Sequence, residues 1–169
     1  IAEAMLYAAG ISENPSNPNP VDVINLSLGG SYDSQLLKDA VEKVYEEGVL
    51  IVASSGNDDA NELLYPAKYP KTIAVGAVTN SGERAGYSNY GSNLDVVAPG
   101  GSKYYGVLST YLDNKYTAMA GTSMAAPHVS GVVSLMLSSG IPSNEVRNRL
   151  QKNSIHPGQE EFSEKLGYG

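Results

Sequence analysis

The hydroxyl of Ser123 stands at the start of a strongly apolar stretch and has the setting of a nucleophile. The surrounding string, Met119-Ala-Gly-Thr-Ser-Met-Ala-Ala-Pro-His-Val-Ser-Gly131, begins with small residues and runs into a predicted helix. If Thr122 caps that helix, Ser123 lies in its first turn, where free backbone N–H groups and the positive end of the helix dipole favour negative charge. A serine that only caps a helix is the alternative interpretation of the same residue.

The predicted helix has apolar residues on nearly every side, so we expect it to lie inside the protein and to end near Gly140. These residues are Val129, Val132, Val133, Leu135, Met136 and Leu137. Pro127 has no N–H to donate to the carbonyl of Ser123, so we also expect the first turns of the helix to be irregular.

Asn57 is the second residue with a plausible chemical role. It follows Gly56 and the short apolar run Val49–Ala53, which is typical of a strand buried on both faces of a parallel sheet. Ligands of such sheets bind at the carboxyl ends of the strands, so Asn57 should lie near Ser123. In acyl transfer a side-chain amide beside the serine N–H can stabilise the oxyanion. An asparagine that merely adopts a turn conformation is the alternative.

The elements that position these residues alternate between strands and helices. We predict strands at 21–28, 49–53, 73–78 and 95–98, and helices at 1–10, 34–47 and 142–151, with a hairpin around Leu112–Lys115 and an irregular tail from Asn153. Strand, helix and strand within about thirty residues form a βαβ unit, which indicates an α/β protein with a parallel sheet.

Composition excludes several classes of function. The 169 residues are enough for one domain with a substantial core. The net charge of −7 leaves no basic surface to replace the counterions of nucleic acid. No apolar run approaches the length of a membrane span, and the absence of cysteine excludes disulfides and thiolate metal sites. The phosphate-binding glycine motifs are missing too, which argues against a nucleotide-binding domain.

The segment Gly121–Gly131 closely resembles the nucleophile segment of the subtilisin-like serine proteases. Val23–Gly30 and Val52–Asn57 match the same family in the right order, and Tyr65–Val78 and Asp95–Gly100 match it more weakly. The resemblance implies a three-layer α/β fold with a mostly parallel sheet and helices on both faces, incomplete at both ends. It further implies that residues 1–169 form a single partial domain, the carboxyl-terminal portion of a peptidase domain, and that the protein is extracellular.

The same resemblance assigns roles to individual residues. Ser123 becomes the nucleophile and Asn57 the oxyanion donor, with no organic cofactor. The residues implied in substrate binding are Ser27, Leu28, Gly29, Gly30, Ser54, Ser55 and Gly56, which would line the specificity pocket and pair with a peptide as added strands, and Leu64 at the pocket base. A leucine there would make the pocket shallower and more apolar, although a leucine packed under a loop is an equally good interpretation.

A cation site is a further implication of the resemblance. In relatives, main-chain carbonyls equivalent to those of Ala67, Tyr69 and Thr72 form it together with an aspartate like Asp95. Oxygen ligands suit calcium or sodium. The alternative is that Asp95 is a solvated aspartate.

The sequence lacks the other two members of the family's catalytic triad. Neither an Asp-[Ser/Thr]-Gly motif nor a His-Gly-Thr-His motif occurs, and the only histidines are His128 and His156. His128 lies five residues after Ser123, which on a helix places it about 140° away and about 7.5 Å along the axis, out of reach of the hydroxyl. The resemblance gives the matching histidine a structural role. We expect His156 to be a surface residue.

The resulting hypothesis is a serine endopeptidase that hydrolyses peptide or protein substrates through an acyl-enzyme on Ser123. We expect the aspartate and the histidine to precede Ile1, so that an upstream segment of the same domain is a required partner and the 169 residues alone are inactive. The alternative is a non-catalytic peptide-binding module that descends from a protease.

Overall fold

The computed structural model describes residues 1–12, 15–156 and 161–169, and its elements follow the predicted order. The helices are α1 (Ala2–Ala8), α2 (Gln35–Glu46), α3 (Thr122–Ser138) and α4 (Ser143–Asn153). The strands are β1 (Val23–Leu26), β2 (Leu50–Ser54), β3 (Thr72–Val78), β4 (Val96–Pro99), β5 (Val107–Tyr111) and β6 (Lys115–Met119).

The first four strands form a parallel sheet in the order β1-β2-β3-β4. The strand β2 is buried along its whole length, as its apolar run predicts for a central strand covered on both faces. Because all neighbouring strands are parallel, their carboxyl ends meet at one edge. That edge therefore gathers the segments that follow Leu26 and Ser54.

Helices cover both faces of this sheet, which confirms the three-layer α/β fold. Alternate residues of β2 point to opposite faces. Ile51 packs in one core with Val41 of α2. Val52 packs in the other core with Val129 and Val133 of α3.

The helix α2 shows how local sequence sets the ends of an element. The Ser34 hydroxyl accepts a hydrogen bond from the N–H of Leu37 at 3.4 Å and caps the start. Gly48 has φ +81° just after the last turn, a conformation that favours glycine. The predicted helix at 34–47 is confirmed, and Leu36 in its first turn is 71% exposed.

The helix α3 is buried on one side only, so the prediction of complete burial is wrong. Ala125 and Val133 face the sheet and are inaccessible, whereas Val132 and Leu135 are 45% and 72% exposed. The sheet covers one side of this helix, and within the described ranges no element covers the other. The helix α3 thus carries more apolar side chains than its contact with the sheet buries.

The hairpin and the carboxyl-terminal segment complete the described fold. Asp113 and Asn114 connect β5 to β6 with φ +58° and +55°, as a tight hairpin turn requires, which confirms the predicted hairpin. The described part of the tail is irregular, as predicted, because no helix or strand follows α4, and residues 157–160 of the predicted tail lie outside the described residues. Its last residues nevertheless bond to the sheet: the N–H of Tyr168 donates to the carbonyl of Asp95, and the carbonyl of Gly169 accepts from Val97. Tyr168 and Gly169 therefore lie along the outer edge of β4.

Across the three described ranges, no helix combines the length and apolar character needed to cross a membrane.

Candidate active site

Ser123 lies in the first turn of α3, beside the end of β1. The helix begins at Thr122 with Gly121 at the N-cap position, so the expectation that Thr122 is the cap is wrong by one residue. Ser123 is half-buried, and its hydroxyl donates to the carbonyl of Ser27 at 3.2 Å. Its position at the positive end of the helix, predicted from the sequence, is thereby confirmed.

Asn57 is joined to the start of α3 through Thr122. The Oδ1 atom of Asn57 accepts from the Thr122 N–H at 2.9 Å and from the Thr122 hydroxyl at 3.0 Å. Both bonds occupy the oxygen, so the Nδ2 group is the free end of the side chain; it donates to no other residue in the described part of the chain. Sequence reasoning missed Thr122 in this role, and its only signal was a hydroxyl directly before the nucleophile.

Leu64 lies between two glycines that follow neighbouring strands. A Cβ atom on Gly29 would lie 2.9 Å from the Leu64 Cβ, and one on Gly56 would lie 2.8 Å from the Leu64 Cγ. Gly56 also has φ +116°, so a side chain at this position would be strained as well as crowded. The leucine is thus wedged between the two segments that the sequence assigns to the cleft.

These two segments differ in exposure. Leu28, Gly29 and Gly30 are exposed at the end of β1. By contrast, Ser54, Ser55 and Gly56 are buried, and the Ser55 N–H already donates to the carbonyl of Val75 at 2.9 Å. This burial differs from the expectation that both segments pair directly with a peptide. Besides the bond to Val75, the carbonyl of Ser55 accepts from the Leu64 N–H, and the carbonyl of Gly56 accepts from the Asn89 N–H.

An apolar groove runs beside Ser123. Its cavity measures about 320 Å³ and lies between the β5 strand and the first turns of α3. Residues 107–109 form one wall, and Met124 and Pro127 belong to the other. The sequence predicts this hairpin but does not place it against the nucleophile.

Neither histidine contacts the Ser123 hydroxyl. His128 Nδ1 bonds to the Met124 carbonyl at 2.8 Å, within its own helix, and the ring is exposed. His156 Nε2 lies 3.0 Å from the Ser163 hydroxyl, and the residue is half-buried rather than on the open surface. Within the described residues the only hydrogen bond of the Ser123 hydroxyl is the one to Ser27.

Asp95 is buried, and its surroundings do not fit a bound cation. Its Oδ1 accepts from Arg147 Nε at 2.7 Å and Gln151 Nε2 at 2.6 Å, while its Oδ2 accepts from Arg147 Nη2 at 2.9 Å and the Ala74 N–H at 2.8 Å. These four bonds use the roughly four lone-pair sites of a carboxylate. The Arg147 guanidinium also supplies the positive charge that a metal ion would bring.

The other proposed ligands of the cation do not change this conclusion. Ala67, Tyr69 and Thr72 are buried, and the Tyr69 carbonyl accepts the N–H of Thr72 at 3.0 Å. The predicted ligands are main-chain carbonyls, whose neutral oxygens do not offset the Arg147 guanidinium beside Asp95. The Thr72 hydroxyl, which has no hydrogen-bond partner in the described ranges, is not one of these predicted ligands. No group of three or more acidic or histidine side chains suited to a metal occurs among the described residues.

Tyr87 supports the loop that leads into the nucleophile segment. Its hydroxyl lies 2.8 Å from the Gly100 carbonyl and 2.9 Å from the Gly101 carbonyl. The Gly100 carbonyl also accepts from the Gly121 N–H, one residue before α3. Burial raises the pKa of Tyr87 above its ordinary value, so the hydroxyl remains a hydrogen-bond donor at neutral pH.

Comparison with known proteins agrees with this geometry. The Subtilase family profile matches residues 1–169. Subtilisin DY from Bacillus licheniformis is 47% identical over 146 residues, which cover 83% of this chain and 52% of that protein. A protease from Pseudoalteromonas arctica superimposes with a TM-score of 0.89 at 35% identity, covering 99% of this chain and 54% of its own. The prenylagaramide maturation protease PagA gives 0.79 at 27% identity, with coverages of 99% and 62%.

The chain thus spans about half the length of the subtilisin that it matches. The profile match over the full sequence and the fold shared at high TM-score agree with each other and with the placement of Ser123 at the start of a helix. The chain belongs to the subtilase family, the subtilisin-like serine proteases.

Proposed function

We propose that this chain contributes the nucleophile, an oxyanion donor and part of the substrate cleft to a serine endopeptidase. Ser123 would attack the peptide carbonyl carbon and form an acyl-enzyme, which water then hydrolyses. The observation that carries this proposal is the double hydrogen bond from Thr122 to Asn57 Oδ1. It leaves the amide nitrogen as the free end of Asn57, next to the turn that holds the nucleophile.

The Asn57 amide and the Ser123 N–H would together stabilise the oxyanion that forms during the attack. Because Thr122 already fixes Asn57, little reorganisation is needed when the negative charge develops. The helix dipole of α3 acts in the same direction, since Ser123 lies in its first turn. These features favour the transition state over the bound substrate and so act on kcat.

The general base and its carboxylate partner would come from a segment of the domain that precedes Ile1. In support, the Ser123 hydroxyl donates to a main-chain carbonyl in this structure, and neither His128 nor His156 bonds to it. We therefore propose that the 169 residues correspond to the carboxyl-terminal portion of the catalytic domain and do not hydrolyse peptides alone.

The segment 27–30, which is exposed from Leu28 onward, would bind a peptide as an added strand, and the buried segment 54–56 would form the wall behind it. The wedged position of Leu64 between Gly29 and Gly56 supports a role in shaping the pocket base. We propose peptide or protein substrates and an extracellular location, with no organic cofactor. We do not include calcium or sodium, because Asp95 is already saturated by Arg147, Gln151 and a backbone N–H.

Labelling with a fluorophosphonate tests this function against a non-catalytic peptide-binding module. The encoding gene is read upstream, and the longer protein is purified beside its Ser123→Ala variant. A catalytic protein is labelled on Ser123 and loses the label in the variant. A longer protein that binds peptides but is neither labelled nor active would support the binding module and overturn the proposal.

A further inference from the structure

Pro127 leaves the main-chain carbonyl of the nucleophile without its usual partner. In an α-helix the carbonyl of residue i accepts from the N–H of residue i+4, which for Ser123 is position 127. Proline has no N–H, and its ring pushes against that same carbonyl. Ser123, whose hydroxyl would attack the substrate, therefore has a main-chain carbonyl that lacks its usual hydrogen bond within the helix.

Ser27 supplies the missing donor from another element. Its hydroxyl donates to the carbonyl of Ser123 at 2.8 Å, although the two residues are 96 positions apart. The Ser123 hydroxyl donates in return to the carbonyl of Ser27 at 3.2 Å. The two serines thus exchange hydrogen bonds, which join the first turn of α3 to the carboxyl end of β1.

Asn25 fixes the direction of the Ser27 hydroxyl. Asn25 Nδ2 donates to Ser27 Oγ at 2.9 Å, which occupies a lone pair and leaves the hydroxyl hydrogen for the Ser123 carbonyl. The Ser130 hydroxyl lies 2.9 Å from Asn25 Oδ1, nearer than the 3.1 Å to the Ala126 carbonyl, and a hydrogen bond to Asn25 holds the amide with its nitrogen toward Ser27. Ser130 is seven residues, or about two turns, beyond Ser123 on the same side of α3.

We propose that Asn25 and Ser27 are positioning residues for the nucleophile, with the Ser27 hydroxyl replacing the N–H that Pro127 lacks. This inference rests on the proposed function, in which Ser123 attacks the substrate. The pair holds the Ser123 peptide at a constant distance from the segment 27–30 that would bind the substrate. Loss of the Ser27 hydroxyl leaves every backbone group of that segment in place, so the expected effect falls on kcat and not on KM.

The test is a double-mutant cycle in the longer, active protein, with kcat and KM measured on one peptide substrate. Ser27→Ala should lower kcat by about tenfold, the scale of one lost hydrogen bond, with KM changed less than about twofold. Pro127→Ala restores an N–H at position 127. In the Ser27→Ala/Pro127→Ala protein most of the lost kcat should return, because the helix itself now satisfies the Ser123 carbonyl.

Ser134→Ala is the matched control, since it removes another serine hydroxyl that donates to a carbonyl of α3 but lies away from the site. It should leave kcat unchanged. Asn25→Asp is a second, nearly isosteric variant of an exposed residue; the carboxylate cannot donate to Ser27, so kcat should fall and Pro127→Ala should again restore it. If kcat fell only because of the added negative charge, the new backbone N–H in the Pro127→Ala protein would not restore it.

Two results would overturn the positioning role while leaving the proposed function intact. The first is a kcat of Ser27→Ala equal to that of Ser134→Ala, in a protein whose Ser123 is still labelled by the fluorophosphonate. The second is a Ser27→Ala/Pro127→Ala protein whose fold-loss in kcat equals the product of the fold-losses of the two single variants. A wild-type protein without labelling or turnover would instead remove the proposed function and this inference together.

Discussion

At the scale of single residues, the site depends on side chains whose hydrogen bonds leave them one free group. Asn57 is the clearest case, because Thr122 donates twice to its oxygen and so determines which end of the amide is available. A donor held in this way needs no rearrangement when charge develops beside it. Its contribution should therefore be visible in turnover rather than in substrate affinity.

Asn57→Leu in the longer protein should lower kcat by about 10²–10³-fold with little change in KM. That magnitude is the established scale for removing the oxyanion-hole asparagine of subtilisin itself, and we adopt it for Asn57 because the two residues share a role in the proposal. Steady-state kinetics on a peptide substrate provide the measurement, and Asn144→Leu, at an exposed position of α4, is the control. An unchanged kcat would remove Asn57 from the oxyanion role.

Leu64 is expected to limit the size of the residue that the pocket accepts. Because it fills the space between Gly29 and Gly56, Leu64→Gly should favour cleavage after large aromatic residues over small apolar ones by about 1–2 kcal/mol. The comparison is the ratio of kcat/KM across a peptide library. Leu36→Gly, an exposed leucine of α2, serves as the control for a general loss of stability. An identical preference profile would place Leu64 outside the pocket.

At the scale of elements, an ion pair joins α4 to the start of β4. Arg147 contacts both oxygens of the buried Asp95 carboxylate and also bonds to the carbonyl of Pro70. Removal of one partner of such a pair leaves a buried charge without compensation. The helix and the sheet therefore depend on each other through this contact.

Arg147→Met should lower the free energy of unfolding by about 2–3 kcal/mol, below the full cost for a completely buried pair because the Arg147 side chain is 36% exposed. Denaturant unfolding of the longer protein measures this loss of stability. Arg149→Met, which removes an exposed pair with Glu145, should cost less than about 0.5 kcal/mol. In the longer protein, calcium or sodium should raise the Tm of the wild type no more than that of its Asp95→Asn variant; a larger, concentration-dependent increase in the wild type would show that a cation does bind near Asp95.

The loop before α3 should weaken at alkaline pH through Tyr87. Its pKa is raised in the folded state by burial, so its protonated hydroxyl contributes stability below the unfolded value of about 10, and this contribution is lost as pH rises through the folded value. Tyr87→Phe should therefore show a shallower decline in unfolding free energy above about pH 10. Urea unfolding of the longer protein between about pH 8 and 11 tests this, with Tyr104→Phe, at an exposed position, as the control. Equal slopes for all three proteins would contradict it.

At the scale of the whole molecule, the described surface exposes apolar side chains of a kind that proteins in water usually bury. Val132 and Leu135 of α3 are exposed, and β1 is an edge strand of the parallel sheet with Leu28 exposed just beyond it. An uncovered strand edge next to apolar side chains favours association. The end of β1 borders Ser123, since Ser27 exchanges hydrogen bonds with it.

The 169-residue chain alone should therefore associate or unfold, and fluorophosphonate should label it negligibly. A serine without a base is a poor nucleophile, and only a residual acceleration of about 10³-fold over water is expected from the oxyanion donors and the cleft. Sedimentation velocity and mass spectrometry of the treated chain provide the measurements. Leu135→Glu should reduce association. Rapid labelling of Ser123 in the isolated chain would mean that His128 or another group acts as a base.

Local patterns in the sequence are sufficient for most of the elements. The cap at Ser34, the glycine at position 48 and the apolar run at 49–53 each predict their own structure, because the interactions that define them lie within a few residues. The placement of Ser123 at a helix start has the same origin. The predicted burial of α3 is wrong because apolar character shows that a surface needs cover, but not whether the described chain provides it.

Contacts between distant segments required the tertiary structure. Asp95 is a candidate cation ligand by sequence, whereas the fold brings it to Arg147, 52 residues away. In the same way Pro127 already implies from the sequence that the Ser123 carbonyl lacks its helix partner. Only the packing of α3 against β1 decided that Ser27 takes that place, because a hydrogen bond between residues 96 positions apart depends on the whole path of the chain.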